Sequence, residues 1–223
     1  MAAEKSLLRA VEKFIGYKAF LFDMDGLIFD SERLFMEQHA VVMKDWGYTL
    51  TREIYCETLG VGGQKLVSIM QSHYGADYPF YEISSETVKR VQMVSETVGI
   101  GVKPEIPEVL KYIKEKGIAC AVASTTRSDM VRMNLDKAGF LSYFQEIIGG
   151  EMVERSKPEP DIFLLACDKL GQAPKDCVVL EDSENGVRAA QKAGCKIICV
   201  PDLKEPCKEV ADLADCLVQR KYD

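Results

Sequence analysis

Ten residues constrain this chain more than any others: Lys18-Ala19-Phe20-Leu21-Phe22-Asp23-Met24-Asp25-Gly26-Leu27. An unbroken apolar run ends in two carboxylates and a glycine. Such a run suits a strand covered on both faces, as in a parallel sheet. While the backbone stays extended, Asp23 and Asp25 project to the same side, and Gly26 permits a sharp turn. Two acids are thereby held at the carboxyl end of a central strand, where open α/β sheets place their ligands. Like charges so close are costly unless a cation lies between them or one keeps its proton. The pattern points to a hard divalent ion with oxygen ligands, typically Mg²⁺. It also allows one acid to serve as nucleophile and the other as proton carrier. Two other readings compete. One is an Asp-Gly hairpin leading into the second apolar run Leu27-Ile28-Phe29. The other is a calcium loop, for which the further acids and the closing glutamate are missing.

The length, 223 residues, allows one large domain or one domain with an insertion. No apolar run is long enough to span a bilayer and no signal peptide is evident, so neither membrane nor export is expected. A net charge of −7 argues against nucleic acid, which demands a basic surface, but leaves room for a small phosphorylated molecule in a local positive pocket. The eight cysteines are scattered singly, without a Cys-x-x-Cys pair. A zinc site or disulfide framework is not expected, and a reducing cytoplasm fits best. Monomer is the default for the oligomeric state.

The leading residues 1–16 carry apolar positions at helical spacing and are expected to form an extra N-terminal helix. From Ser31 to about Gly99 the pattern is helical throughout, with no strand-like alternation, and 31–100 reads as an all-helical cap domain inserted after the first strand. After Pro104 strand and helix alternate, with a cation and a glycine closing one helix after another, as at Lys137-Ala138-Gly139 and Lys192-Ala193-Gly194. Strands are expected at Ile118–Ala123, Phe144–Ile148, Cys177–Leu180 and Lys196–Val200, with a short edge strand at Leu217-Val218. Residues 1–30 and 101–223 therefore form an α/β core, a Rossmann-like parallel sheet flanked by helices, over whose carboxyl edge the helical region is expected to sit as a lid.

A parallel sheet delivers every strand's last residues to that one edge, and here they are polar. The second strand ends in Ser124-Thr125-Thr126-Arg127, a natural cradle for phosphate oxygens or an ordinary helix cap. Lys157 lies in the proline-stiffened stretch Ser156-Lys157-Pro158-Glu159-Pro160, either aimed at the site or simply solvated. The fourth strand ends in Glu181-Asp182, which would complement a helix dipole or complete a metal site begun by Asp23. His39 is placed on a helix surface and His73 in solvent, neither with a role.

In this order the four motifs, Asp23-Met24-Asp25-Gly26, Ser124-Thr125, Lys157-Pro158 and Glu181-Asp182, resemble those of the haloacid dehalogenase superfamily. The chain is similar to its helical-cap branch of β-phosphoglucomutase-like phosphatases, from about Tyr17 to the end. The resemblance implies a Mg²⁺-dependent phosphatase acting on small phosphomonoesters, such as sugar or polyol phosphates, through an aspartyl-phosphate. Asp23 would be the nucleophile and Asp25 the proton carrier. Mg²⁺ would be held by Asp23, Asp182 and the carbonyl of Asp25, with Glu181 in support. Ser124, Thr125 and Lys157 would bind the phosphoryl group. Asp25 favours phosphate esters, because halide-displacing relatives need no acid there. Mutases of the β-phosphoglucomutase type carry an arginine and a histidine where Gly62-Gly63-Gln64 and Phe35 align, which favours hydrolysis, although Lys65 lies close enough to stand in for the arginine. A non-catalytic phosphate sensor or partner-binding module is a third reading. Candidates for substrate choice are Gly63, Gln64, Lys65 and Arg127.

Overall fold

The computed structural model describes residues 6–219. The segment expected to be helical over 1–16 therefore begins, for its first five residues, outside the described part. The rest forms α1 (Leu7–Glu12), whose first N–H is met by the Glu105 carboxylate at 3.2 Å. It ends earlier than its apolar spacing suggests, because the chain tightens into i→i+3 turns, with Lys13 N–H on Ala10 O and Phe14 N–H on Val11 O. The chain separates into two compact units: an α/β unit, residues 1–30 with 101–223, and a helical unit, Ser31–Ile100.

The α/β unit is built from β1 (Ala19–Phe22) and, after the helical unit, from alternating elements whose order places the candidate residues. These are α6 (Ile106–Glu115), β2 (Ala119–Ala123), α7 (Ser128–Lys137), β3 (Glu146–Ile148), α8 (Asp161–Lys169), β4 (Cys177–Glu181), α9 (Glu184–Ala193), β5 (Lys196–Cys199), α10 (Lys208–Ala211) and β6 (Cys216–Leu217). The six strands run in the order β3-β2-β1-β4-β5-β6 and every pairing is parallel. β1 is central and wholly buried, as an uninterrupted apolar run demands. Phe22 is in register with Val122 of β2 and Leu180 of β4, so these three strands end level with one another. The main core gathers Leu21, Ala121, Val179, Phe163 of α8 and Val187 of α9.

β3 is shorter than expected. A 3₁₀ turn over Leu141–Tyr143 precedes it, and the Phe144 N–H is taken by Leu141 O at 3.3 Å, while its ring packs edge-on against Phe22, 5.6 Å between centroids. β4 is longer by one residue, because Glu181 pairs with Cys199 and accepts from Val200 N–H at 2.7 Å. The edge strand falls one residue early, at Cys216–Leu217.

The helical unit contains α2 (Ser31–Asp45), α3 (Arg52–Thr58), α4 (Gly63–Tyr74) and α5 (Phe80–Thr97). Its core is Val42, Met43, Met70, Tyr78 and Ile83, flanked by Tyr48 and Tyr74, whose rings lie 5.0 and 5.2 Å from that of Tyr78. Among the described residues no helix is long and apolar enough to cross a membrane. His73 is exposed, as expected, and meets Glu57 at 2.9 Å. His39 is not on the surface. It is 8% exposed, edge-on to Phe35, and neither ring nitrogen has a protein partner. Helical spacing puts a residue on a face but does not say how deep that face lies, and here His39 lines a cavity with Tyr55 of α3, Met70 of α4 and Phe80 of α5.

Burial pushes the His39 imidazole down to about 4. Its folded pKa lies below its unfolded one, so the folded state binds fewer protons. The stabilisation is complete above the ordinary histidine value and is lost as pH falls toward 4. From pH 7 to pH 5 the helical unit should lose about 2 kcal/mol from this residue alone. The single tryptophan, Trp46, lies in the same unit, so urea unfolding followed by its fluorescence measures the effect. His39→Leu should flatten the dependence, and an unchanged slope would reject the burial argument.

Candidate active site

Asp23 sits one residue past β1, and its N–H donates to Leu180 O at 3.0 Å, so β4 still holds its backbone. Ser124 sits one residue past β2, held in the same way by Ile148 O of β3 at 3.0 Å. Glu181 is the last residue of β4. The strand order therefore fixes Asp23 between a hydroxyl on one side and a carboxylate on the other.

Lys157, from the loop before α8, reaches into this row. Its ammonium donates to Asp23 Oδ1 at 2.5 Å, Glu181 Oε1 at 2.7 Å and Ala123 O at 3.0 Å, and lies 4.9 Å from the centre of the Phe163 ring. All three ammonium hydrogens are thereby used. The side chain is 5% exposed, so it is not a solvated lysine. Burial opposes its charge, but Asp23 and Glu181 outweigh burial and hold its pKa above the ordinary value. Burial likewise pushes the Asp23 carboxyl well above the usual range, against the pull of Lys157. Glu181 is fully buried, and its other oxygen accepts from Ser183 N–H and Oγ, each at 2.9 Å. Ser183 in turn caps α9 by accepting from Gly186 N–H at 3.0 Å.

Asp25 is half-buried. Its Oδ2 accepts from Thr126 Oγ1 at 2.7 Å and Ser124 Oγ at 3.3 Å, while Ser124 Oγ accepts from Thr126 N–H at 3.1 Å. Thr126 lay in the run expected to cradle phosphate oxygens but had no role of its own there. It belongs to the same strand-end run as Ser124, and its spacing of two from that serine was the only available signal. Thr125 between them is exposed.

Gly26 has φ +76°, in the region that favours glycine. The position a Cβ would take there lies only 2.2 Å from Asp182 Oδ2, so the missing methyl is what admits that carboxylate to the acid turn. Among the described residues no three His, Cys, Asp or Glu side chains are grouped to hold a metal by themselves. The carboxylates of Asp23 and Asp182 with the carbonyl of Asp25 are nevertheless an all-oxygen set suited to Mg²⁺. That ion commonly takes one or two carboxylates and fills its remaining positions with water and substrate oxygens.

Of the other candidates, Arg127 is exposed and forked onto Asp129, with both contacts at 3.2 Å. Gly63, Gln64 and Lys65 belong to the helical unit, exposed in the first turn of α4.

The sequence model of one protein family, Haloacid dehalogenase-like hydrolase, matches residues 20–200. A protein of Drosophila melanogaster named "Probable pseudouridine-5'-phosphatase" is 31% identical over 82% of this chain and 80% of its own length. The "Phosphorylated carbohydrates phosphatase" of Thermotoga maritima is 30% identical over 81% of this chain and 83% of its own. Among solved structures, a mutant of CbbY from Rhodobacter sphaeroides in complex with xylulose-(1,5)bisphosphate is 30% identical. It superposes with a TM-score of 0.68 over 91% of this chain and 93% of that one.

Gly186 supplies a test of the Lys157 clasp. A Cβ there would fall 1.7 Å from Glu181 Oε1, inside a fully buried carboxylate. Gly186→Ala should cost about 3 kcal/mol in chemical denaturation and displace the partner that orients Lys157. Asn185→Ala, on the exposed neighbour, should stay within about 0.5 kcal/mol of the parent.

Proposed function

The chain belongs to the haloacid dehalogenase-like hydrolase family, and from that premise we propose that it is a Mg²⁺-dependent phosphatase of small phosphomonoesters working through an aspartyl-phosphate. The observation that carries this reading is the Lys157 ammonium clasping Asp23 two residues before Asp25, whose carboxylate two hydroxyls orient. The names of the relatives, phosphatases of a phosphorylated nucleoside and of phosphorylated carbohydrates, support a substrate with a polyhydroxylated or nucleoside body.

In this mechanism an Asp23 oxygen attacks phosphorus as the bond to the ester oxygen breaks, and Asp25 delivers its proton to the departing alkoxide. Water then attacks the phosphorus of the aspartyl-phosphate. Asp25 takes the proton of that water, and Asp23 is released with inorganic phosphate. Lys157 stabilises charge on the transferring group and keeps Asp23 aimed, while Glu181 keeps Lys157 aimed. Thr126 and Ser124 hold Asp25 in one orientation through both proton transfers. Thr125 supplies its backbone amide to the phosphoryl oxygens. Asp23, Asp182 and the Asp25 carbonyl would hold Mg²⁺, which would supply positive charge opposite the phosphoryl oxygens and beside the buried Asp23 carboxyl. Gly63, Gln64, Lys65 and Arg127 are proposed to influence which ester is accepted, and the absence of an arginine from Gly62-Gly63-Gln64 supports hydrolysis over a mutase.

The test is release of inorganic phosphate from a panel of sugar, polyol and nucleoside monophosphates. Activity should require Mg²⁺ and vanish with EDTA. Asp23→Asn should lower turnover by about 10³-fold or more, equivalent to about 4 kcal/mol of barrier, with an unchanged circular dichroism spectrum. Retained activity would reject the nucleophile. Incubation with β-glucose 1-phosphate and a catalytic bisphosphate should give phosphate release faster than isomerisation, and sustained isomerisation in excess would replace the phosphatase reading with a mutase.

A further inference from the structure

Lys103 stands where the chain re-enters the α/β unit and carries no motif, yet it is only 7% exposed. Its ammonium donates to Asp30 Oδ1 at 2.6 Å and to Asp202 Oδ1. The backbone fixes it there: Asp30 N–H donates to Gly101 O at 2.8 Å, and Lys103 N–H to Ile28 O at 2.9 Å. Asp202, just beyond β5, is 8% exposed and presents its two oxygens in two directions. Oδ1 meets Lys103. Oδ2 lies 3.2 Å from the point a Gly26 Cβ would occupy, the same point that Asp182 Oδ2 approaches at 2.2 Å. Two carboxylates from different strand ends thus converge on one glycine of the acid turn, and one of them is already bound to an ammonium.

We infer that Lys103 is a positioning residue that withholds Asp202 from the cation at the acid turn and thereby sets the selectivity of that site. The inference rests on the proposed reading, in which Asp23, Asp182 and the Asp25 carbonyl hold Mg²⁺. With Asp202 neutralised, the turn offers two carboxylates, few enough for an ion that keeps much of its water. With the ammonium gone, Asp202 becomes a third carboxylate beside Asp182. A set richer in oxygen favours the larger Ca²⁺, which takes six to eight ligands and tolerates irregular geometry. Selectivity between the two ions is a difference of affinities, and withholding one ligand acts on that difference directly.

The experiment is isothermal titration of the full-length protein with Mg²⁺ and, separately, Ca²⁺, beside phosphate release at saturating Mg²⁺. In Lys103→Met the ratio of Ca²⁺ to Mg²⁺ affinity should rise at least about tenfold, and turnover should fall as Asp202 enters the set. Lys103→Arg should keep the parental ratio. Lys103→Met with Asp202→Asn should return the ratio to within about threefold of the parent, a rescue that a lysine serving only stability does not permit. Asp202→Asn alone needs no change at Lys103 and should alter Mg²⁺ affinity by less than about threefold. A tenfold loss there would make Asp202 a ligand already and overturn the inference. An unchanged ion ratio in Lys103→Met, or no rescue by Asp202→Asn, would overturn it as well, with the phosphatase reading intact. A parent protein that neither binds Mg²⁺ nor releases phosphate would remove both.

Discussion

Lys157 puts one positive charge between Asp23 and Glu181, 2.5 and 2.7 Å away, in a place from which water is almost wholly excluded. The three groups are tolerable in so dry a place only together: a charge left there alone would cost several kcal/mol of lost hydration. The triad joins the ends of β1 and β4 to a loop more than twenty residues from either. Its geometry is fixed twice over, by the parallel ladder that aligns Phe22 with Leu180 and by Ser183, which holds the far oxygen of Glu181. The chemistry asked of Asp23 needs a carboxylate that is both held still and kept reactive, and the triad does both.

A second ammonium borders the same turn. Lys103 bridges Asp30 and Asp202 as Lys157 bridges Asp23 and Glu181, so the acid turn lies between two lysine-centred clusters. The two clusters differ in how they face the turn. The Lys157 cluster closes on itself, using every ammonium hydrogen and both oxygens of Glu181. The Lys103 cluster leaves one oxygen of Asp202 facing Gly26 beside Asp182. A chain with net charge −7 can crowd acids around one turn because these two cations divide the load locally.

Much of the α/β unit was legible in the residues. The uninterrupted Ala19–Phe22 run marked a central strand, and the polar residues closing β2 and β4 marked its neighbours at one edge. The periodicity of 31–99 showed helices and no strands. Local rules sufficed wherever the signal was a pattern along the chain. They failed at β3, where the Phe144 N–H closes the preceding 3₁₀ turn on Leu141 O and so is not offered to β2. They failed again at His39, where the spacing located a helix face but not its depth.

By itself the sequence determined the strand-and-helix order, the acid pair with its glycine, and the short set of polar residues that a parallel sheet must bring to one edge. These follow from periodicity and backbone stereochemistry, which act over a few residues. Only the tertiary structure decided that Glu181 grips Lys157, that Thr126 rather than Thr125 orients Asp25, and that Lys103 meets Asp202. Those pairings join positions from 24 to 101 residues apart. No pattern along the chain specifies which charge meets which, because the partner is chosen by strand register and by the space that Gly26 and Gly186 leave open.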